Sequence, residues 1–201
     1  MIAILDYGIG NLKSIYNMLK KVGIESIITS DMQVIRKADK YLLPGVGSFD
    51  HGITSLKKAS FFEALEKEVL GHNKPILGIC LGMQLLTNSS EEGNENGLGW
   101  IDAKTIKFDL RDDSLSIPHM GWNKTKSTNT NDIFKNLNKN RFYFVHSYHV
   151  VCNDDKNILA TANYGENFTC SIYKDNIYGV QFHPEKSHKF GMQLFENFGE
   201  M

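Results

Sequence analysis

The chain has few cysteines, few prolines, little arginine and no long apolar run. Only Arg36, Arg111 and Arg141 carry guanidinium groups. Lys+Arg total 22 against 23 Asp+Glu, a formal net charge of −1. No global field therefore draws the protein to nucleic acid or an anionic membrane. Any local basic patch would be built mostly from lysine. The three cysteines, Cys80, Cys152 and Cys170, are odd in number and have no paired spacing. That argues against a disulfide framework and a Cys-rich zinc site, and predicts a reducing, cytoplasmic setting. The longest nearly apolar run, Ile76 to Leu86, contains Gln84 and is too short to span a bilayer. The first residues lack a basic n-region, and Asp6 cuts their apolar run short, so they predict a strand and not a signal peptide. The prolines form no linker, and no repeat or composition break divides the chain. One domain over 1–201 is expected. With 41% hydrophobic and 22% charged residues, the chain as a whole is not disordered.

What is present is an alternation of strand and helix signals. Ile2–Leu5 is a short apolar strand. Leu12, Ile15, Leu19 and Val22 follow at helical spacing and stop at Gly23. Ser26–Thr29 and Tyr41–Leu43 are further strands, the latter ended by Pro44-Gly45. Phe61, Leu65 and Val69 mark a helix closed by Gly71; Ile76–Ile79 is a strand, and Leu81–Leu86 is helical. This pattern predicts an α/β fold, a mostly parallel central sheet with helices on both faces. Residues 87–100 have loop composition, and the Asn-rich stretch near 129–140 is expected to be surface loop. The second half carries short strand-like runs at Thr105–Phe108, Phe142–Val145, His149–Cys152, Ile158–Ala162, Thr169–Tyr173 and Ile177–Phe182. A hairpin is expected at Lys174-Asp175-Asn176, and a last helix over Lys189–Phe198. The added strands are expected to be antiparallel.

Three motifs carry chemistry. Gly78-Ile79-Cys80-Leu81-Gly82 lies where a buried strand meets a helix. A tight strand-to-helix turn thrusts the side chain outward, and the flanking glycines let backbones crowd in. Cys80 is then a candidate nucleophile, and the Leu81 N–H a candidate oxyanion donor. Gly179-Val180-Gln181-Phe182-His183-Pro184-Glu185 ends a strand in a candidate base, His183, with Glu185 able to orient it. Pro44-Gly45-Val46-Gly47-Ser48-Phe49 follows a strand, and its glycines permit backbone N–H groups to aim inward. Each has a plainer structural explanation alone: a buried Cys, a surface His, a simple turn. Other patterns fail. Gly8-Ile9-Gly10 lacks the third glycine of a dinucleotide fingerprint. His146 and His149 fall in a strand-like run that would put them on opposite faces. No metal site and no cofactor is expected.

In this order and spacing the three motifs resemble the class-I (triad) glutamine amidotransferases over nearly the full chain. Three further segments, Pro44–Phe49, Pro118-His119-Met120-Gly121-Trp122-Asn123 and Phe144-Val145-His146-Ser147-Tyr148-His149, resemble the branch that serves imidazole glycerol phosphate synthase, as does the opening Asp6–Leu12. The resemblance implies a Cys80–His183–Glu185 triad acting on glutamine, and an oxyanion hole from Leu81, Val46 and Gly47. Gln84, Gly47, Ser147 and Tyr148 would bind the substrate. His119, Met120, Gly121, Trp122 and Asn123 would face a (β/α)₈-barrel cyclase subunit in a heterodimer with an ammonia tunnel. For Trp122 a core position is the competing expectation. The loop around Val46 would rearrange when the partner is ligated. Other readings share parts of this chemistry: a paralogue feeding ammonia to another acceptor such as a surface-sugar-modifying enzyme, a cysteine hydrolase, and a non-catalytic binding protein.

Overall fold

The computed structural model describes residues 1–110, 115–127, 131–137 and 140–201. Arg111 and part of the Asn-rich stretch near 129–140 lie outside the described residues. The first half runs β1 (Ile2–Leu5), α1 (Leu12–Lys21), β2 (Ser26–Thr29), α2 (Met32–Lys37), β3 (Lys40–Gly45), α3 (Phe49–Lys58), α4 (Phe62–Glu66), β4 (Ile76–Cys80) and α5 (Leu81–Leu85). The second half runs β5 (Ser89–Ser90), β6 (Ala103–Lys107), β7 (His119–Ser127), β8 (Arg141–His146), β9 (Tyr148–Cys152), β10 (Ile158–Tyr164), β11 (Glu166–Lys174), β12 (Ile177–Val180) and α6 (His188–Glu200).

The sheet order is β2-β1-β3-β4-β12-β11-β10-β7-β8, with β9 also pairing β11 and carrying β6 and β5. From β2 to β12 the neighbours are parallel, and from β12 to β8 they are antiparallel. This is the expected mixed α/β architecture. Alternation explains the two cores. Ile2 and Ile4 of β1 join Ile15, Leu19, Leu194 and Phe198 on one face. Ala3 and Leu5 join Ile53, Leu56 and Leu65 on the other. A strand buried on both faces must be apolar at every position, as β1 and β4 are.

Several elements depart from the sequence-based expectation. β3 does not stop before Pro44; it pairs on to Gly45↔Cys80. Its pairing with β1 ends at Leu42, so Pro44 has one free side and its missing N–H breaks no ladder there. The expected helix from Phe61 to Gly71 is α4 followed by a π-helical stretch, Lys67–Gly71. Helices α2 and α3 and strand β7 lie outside the expected elements, and so does β5, in the 87–100 stretch expected to be loop. His146 and His149 do not share one strand. Ser147 separates β8 from β9, and both rings pack on Phe108, with centroids 5.2 and 4.7 Å away.

Candidate active site

Strands β4 and β12 are adjacent and parallel, with Gly78↔Gly179 and Ile79↔Val180 in register. Their carboxyl ends therefore emerge side by side, one delivering Cys80 and the other His183. Cys80 has φ 56 and ψ −111, a positive φ that a side chain adopts only when its surroundings dictate it. The surroundings are close backbone packing. A Cβ on Gly82 would lie 1.8 Å from the Leu43 carbonyl oxygen, and one on Gly78 would lie 2.6 Å from that of Gly82. The glycines thus let β3, β4 and α5 approach closely enough to force the elbow.

His183 Nδ1 lies 2.8 Å from Glu185 Oε1, and both side chains are almost wholly buried. The His183 backbone is pinned twice. Its N–H donates to the Tyr143 carbonyl at 2.9 Å, and its carbonyl accepts from the Ser187 hydroxyl at 2.6 Å. A carboxylate on Nδ1 selects the tautomer or charge state in which Nδ1 carries the proton. His183 Nε2 is buried without a hydrogen-bond partner among the described residues. The Cys80 sulfur favours the protonated ring from just outside strict hydrogen-bond geometry with Nε2. Burial alone would lower the pKa of His183, yet the Cys80 sulfur and Glu185 carboxylate together push it up to about 10. The arrangement favours the protonated, imidazolium form of His183.

The pair opens onto a cleft of about 340 Å³, lined by Val46, Gly47, Leu81, Gln84, Glu92, Ser147 and Tyr148, among others. Every expected oxyanion and substrate residue is therefore at this one cleft. Leu81 begins α5, so its N–H has no partner within the helix. Gly47 holds φ +95, a conformation that favours glycine, and Val46 is 46% exposed. The Tyr7 hydroxyl donates to the Pro44 carbonyl at 2.5 Å, tying the opening segment to this loop.

The 119–123 segment does not present one face. It is the start of β7, and alternation divides it. Met120 and Trp122 are 61% and 42% exposed, so Trp122 is not a core residue. His119 is buried against His146, and the half-buried Asn123 amide donates to the Asn163 carbonyl at 2.7 Å. Trp122 stacks on His188 at 5.5 Å with Arg141 over its ring.

Three cleft or near-cleft residues have no role assigned by the sequence motifs. Glu92 lies in a stretch of loop composition, and its carboxylate accepts the Phe49 N–H at 2.8 Å while lining the cleft. Lys186 also lines it. Gln181 is fully buried beside Cys80. Its position two residues before His183 in an extended run was the available signal.

The glutamine amidotransferase class-I family matches residues 3–200. The imidazole glycerol phosphate synthase subunit HisH 2 of Methanococcus maripaludis is 60% identical over 199 residues, covering 98% of each chain. The protein of the same name from Pseudomonas aeruginosa is 48% identical over 202 residues and covers 100% of both chains. Among solved structures, a glutamine amidotransferase matches with a TM-score of 0.77 at 15% identity, covering 99% of this chain and 97% of that one. A chain of PurLQS from Thermotoga maritima matches with 0.73 at 20% identity, covering 98% and 95%. These structural likenesses concern the fold. No helix among the described residues is long and apolar enough to cross a membrane.

Proposed function

The chain belongs to the class-I glutamine amidotransferase family, and from that premise we propose that it is the glutaminase subunit of an imidazole glycerol phosphate synthase. In this reading the Cys80 thiolate attacks the side-chain amide carbon of glutamine. The negative oxygen that forms is met by the Leu81 N–H and by an N–H of the Val46-Gly47 loop. Imidazolium His183 gives its proton to the departing nitrogen, so ammonia leaves and a γ-glutamyl thioester remains. Neutral His183 then takes a proton from water, whose oxygen attacks the thioester. Glutamate departs and the thiolate–imidazolium pair is restored. Glu185 accepts the Nδ1–H throughout and stabilises each imidazolium.

Gln84 contacts the substrate glutamine, and Gly47 and the Ser147-Tyr148 backbone hold its amino-acid end. Glu92 offers the carboxylate an α-ammonium needs. The face carrying Met120 and Trp122 docks a (β/α)₈-barrel cyclase subunit, and ammonia passes through that heterodimer to a lyase-type ring-forming step of histidine biosynthesis in the cytoplasm. The chemistry calls for no metal and no cofactor. A single observation carries the reading: His183 Nε2 is buried, unpartnered among the described residues and beside the sulfur, while Nδ1 is held by Glu185.

A second reading keeps the glutaminase and changes the acceptor. Relatives numbered 1 and 2 both occur, and a duplicated copy of the same glutaminase would serve another ammonia-using enzyme, such as one modifying a surface sugar, through the same triad. Copurification with the barrel partner decides between them. Glutamine hydrolysis is expected to rise when partner and its nucleotide are both present. It is expected to vanish in Cys80→Ala. Hydrolysis that survives that substitution would remove Cys80 from the mechanism.

A further inference from the structure

Gln181 is fully buried, and no step above uses it. Its two amide ends face two different residues of the site. Nε2 lies 3.8 Å from the Cys80 sulfur, within the reach of an N–H to sulfur hydrogen bond. Oε1 lies 3.0 Å from Gln84 Nε2. The Gln84 amide nitrogen also donates to the Tyr148 carbonyl at 3.3 Å.

The donor and acceptor inventory leaves one consistent orientation for this chain of amides. A backbone carbonyl only accepts, so Tyr148 fixes the Gln84 NH₂ toward itself. That NH₂ then needs a second acceptor, which is Gln181 Oε1. Gln181 is left with its NH₂ toward the sulfur. Flipping Gln181 would set two NH₂ groups against each other and turn an oxygen lone pair on the sulfur. The same logic leaves Gln84 Oε1 free of Gln181 and Tyr148, an acceptor beside the cleft that Gln84 lines.

We propose that Gln181 is a positioning residue for the glutaminase reaction, with its NH₂ holding the Cys80 thiolate and its carbonyl holding the Gln84 amide in the orientation that binds glutamine. This rests on Cys80 and Gln84 acting as described above. The Tyr148 carbonyl anchors the arrangement, so the backbone that contacts substrate also sets the direction of the amides reaching the nucleophile.

Two substitutions separate the two roles. Gln181→Glu keeps an acceptor toward Gln84 but removes the donor to sulfur and adds a negative charge there. Gln181→Met removes both ends at similar volume. The readouts are the pH dependence of iodoacetamide alkylation at Cys80, followed on its own peptide by mass spectrometry, and KM and kcat for glutamine in the complex with partner and nucleotide. Q181E is expected to move the alkylation profile about one pH unit alkaline, about tenfold slower at pH 7, with KM within about twofold of wild type. Q181M is expected to shift the profile likewise and to raise KM about fivefold or more. Wild-type alkylation profiles in both variants would overturn the proposal. So would a drop in kcat that tracks a lowered Tm with no pH shift, which is what a purely structural role gives. If Q181M does not fold, the Q181E profile decides alone. A wild-type complex that fails to hydrolyse glutamine would defeat the functional reading, a result distinct from either variant's alkylation profile.

Discussion

His119 Nδ1 lies 2.9 Å from His146 Nε2, and the pair admits one neutral proton arrangement. His146 Nδ1 must donate to the Tyr148 carbonyl, 2.8 Å away, so its Nε2 accepts from His119 Nδ1–H. His119 Nε2 is then an acceptor, 3.3 Å from the Asn123 amide nitrogen. Any added proton breaks this chain. Phe108, Phe144, Phe168 and Tyr164 surround the two rings, which offer little to solvate a charge.

The first prediction follows. Burial lowers His119 to about 4 and His146, with a smaller push from neighbouring histidines, to about 3. The unfolded chain takes up these protons near 6.5, while the folded chain does not. Stability from these groups is therefore complete above about pH 6.5 and is lost as pH falls toward 4 and 3. Urea melts at pH 7 and pH 5 should show a loss of up to about 1.4 kcal/mol per proton per pH unit below 6.5. His119→Gln should lower stability at pH 7 and flatten this dependence. An unchanged slope in that variant would count against the pair as its source.

The second concerns the other end of the pH scale. His183 is raised to about 10, so its imidazolium persists from neutral pH until near that value and is lost above it. The linked stability is complete below about 6.5 and declines as pH rises through about 10. Glu185→Gln alters one of the two groups that raise it. The upper edge of the window should move toward neutral and kcat should fall about 10²-fold. Steady-state rates between pH 6 and 10 in the complex would show it.

A third tests the elbow. Gly82→Ala places a methyl 1.8 Å from the Leu43 carbonyl oxygen, where backbone cannot yield cheaply. It should destabilise the chain by about 2 kcal/mol or more. Gly71→Ala meets nothing nearer than 3.8 Å and should stay within about 0.5 kcal/mol. Chemical denaturation of both variants makes the comparison.

A fourth addresses the proposed partner face. Trp122 is partly exposed and rests on His188 and Arg141. Trp122→Ala should weaken association with the barrel partner by about 30-fold or more, as loss of an aromatic anchor does. The isolated chain should lose no more than about 1 kcal/mol. Titration calorimetry beside a thermal melt distinguishes an interface role from a folding one.

Much of the parallel half was legible because β1, β2 and β4 are short apolar or β-branched runs bounded by turn residues. α3 carried a signal too: Phe49, Ile53 and Leu56 fall at helical spacing and are all buried. β7 did not. Its buried face holds only His119, and its sequence has no apolar run to mark a strand. It exists because β8 and β10 supply hydrogen bonds on either side. The hairpin at Asp175-Asn176 was visible in turn chemistry alone, with Asp175 at φ 55.

The sequence by itself determined the local chemistry: a cysteine between glycines at a strand end, a His-Pro-Glu after another strand, and the alternations that bury β1 and β4 on both faces. Such features depend on neighbours within a few residues, where covalent geometry and side-chain period act. Only the tertiary structure decided that β12 lies beside β4, so that His183 meets Cys80. It also decided which of the residues 119–123 turn outward, and which way the Gln84 and Gln181 amides point. Those outcomes depend on partners far apart in sequence, such as the Tyr148 carbonyl and the Cys80 sulfur. A buried amide or imidazole takes its orientation from whatever donors and acceptors the fold places against it.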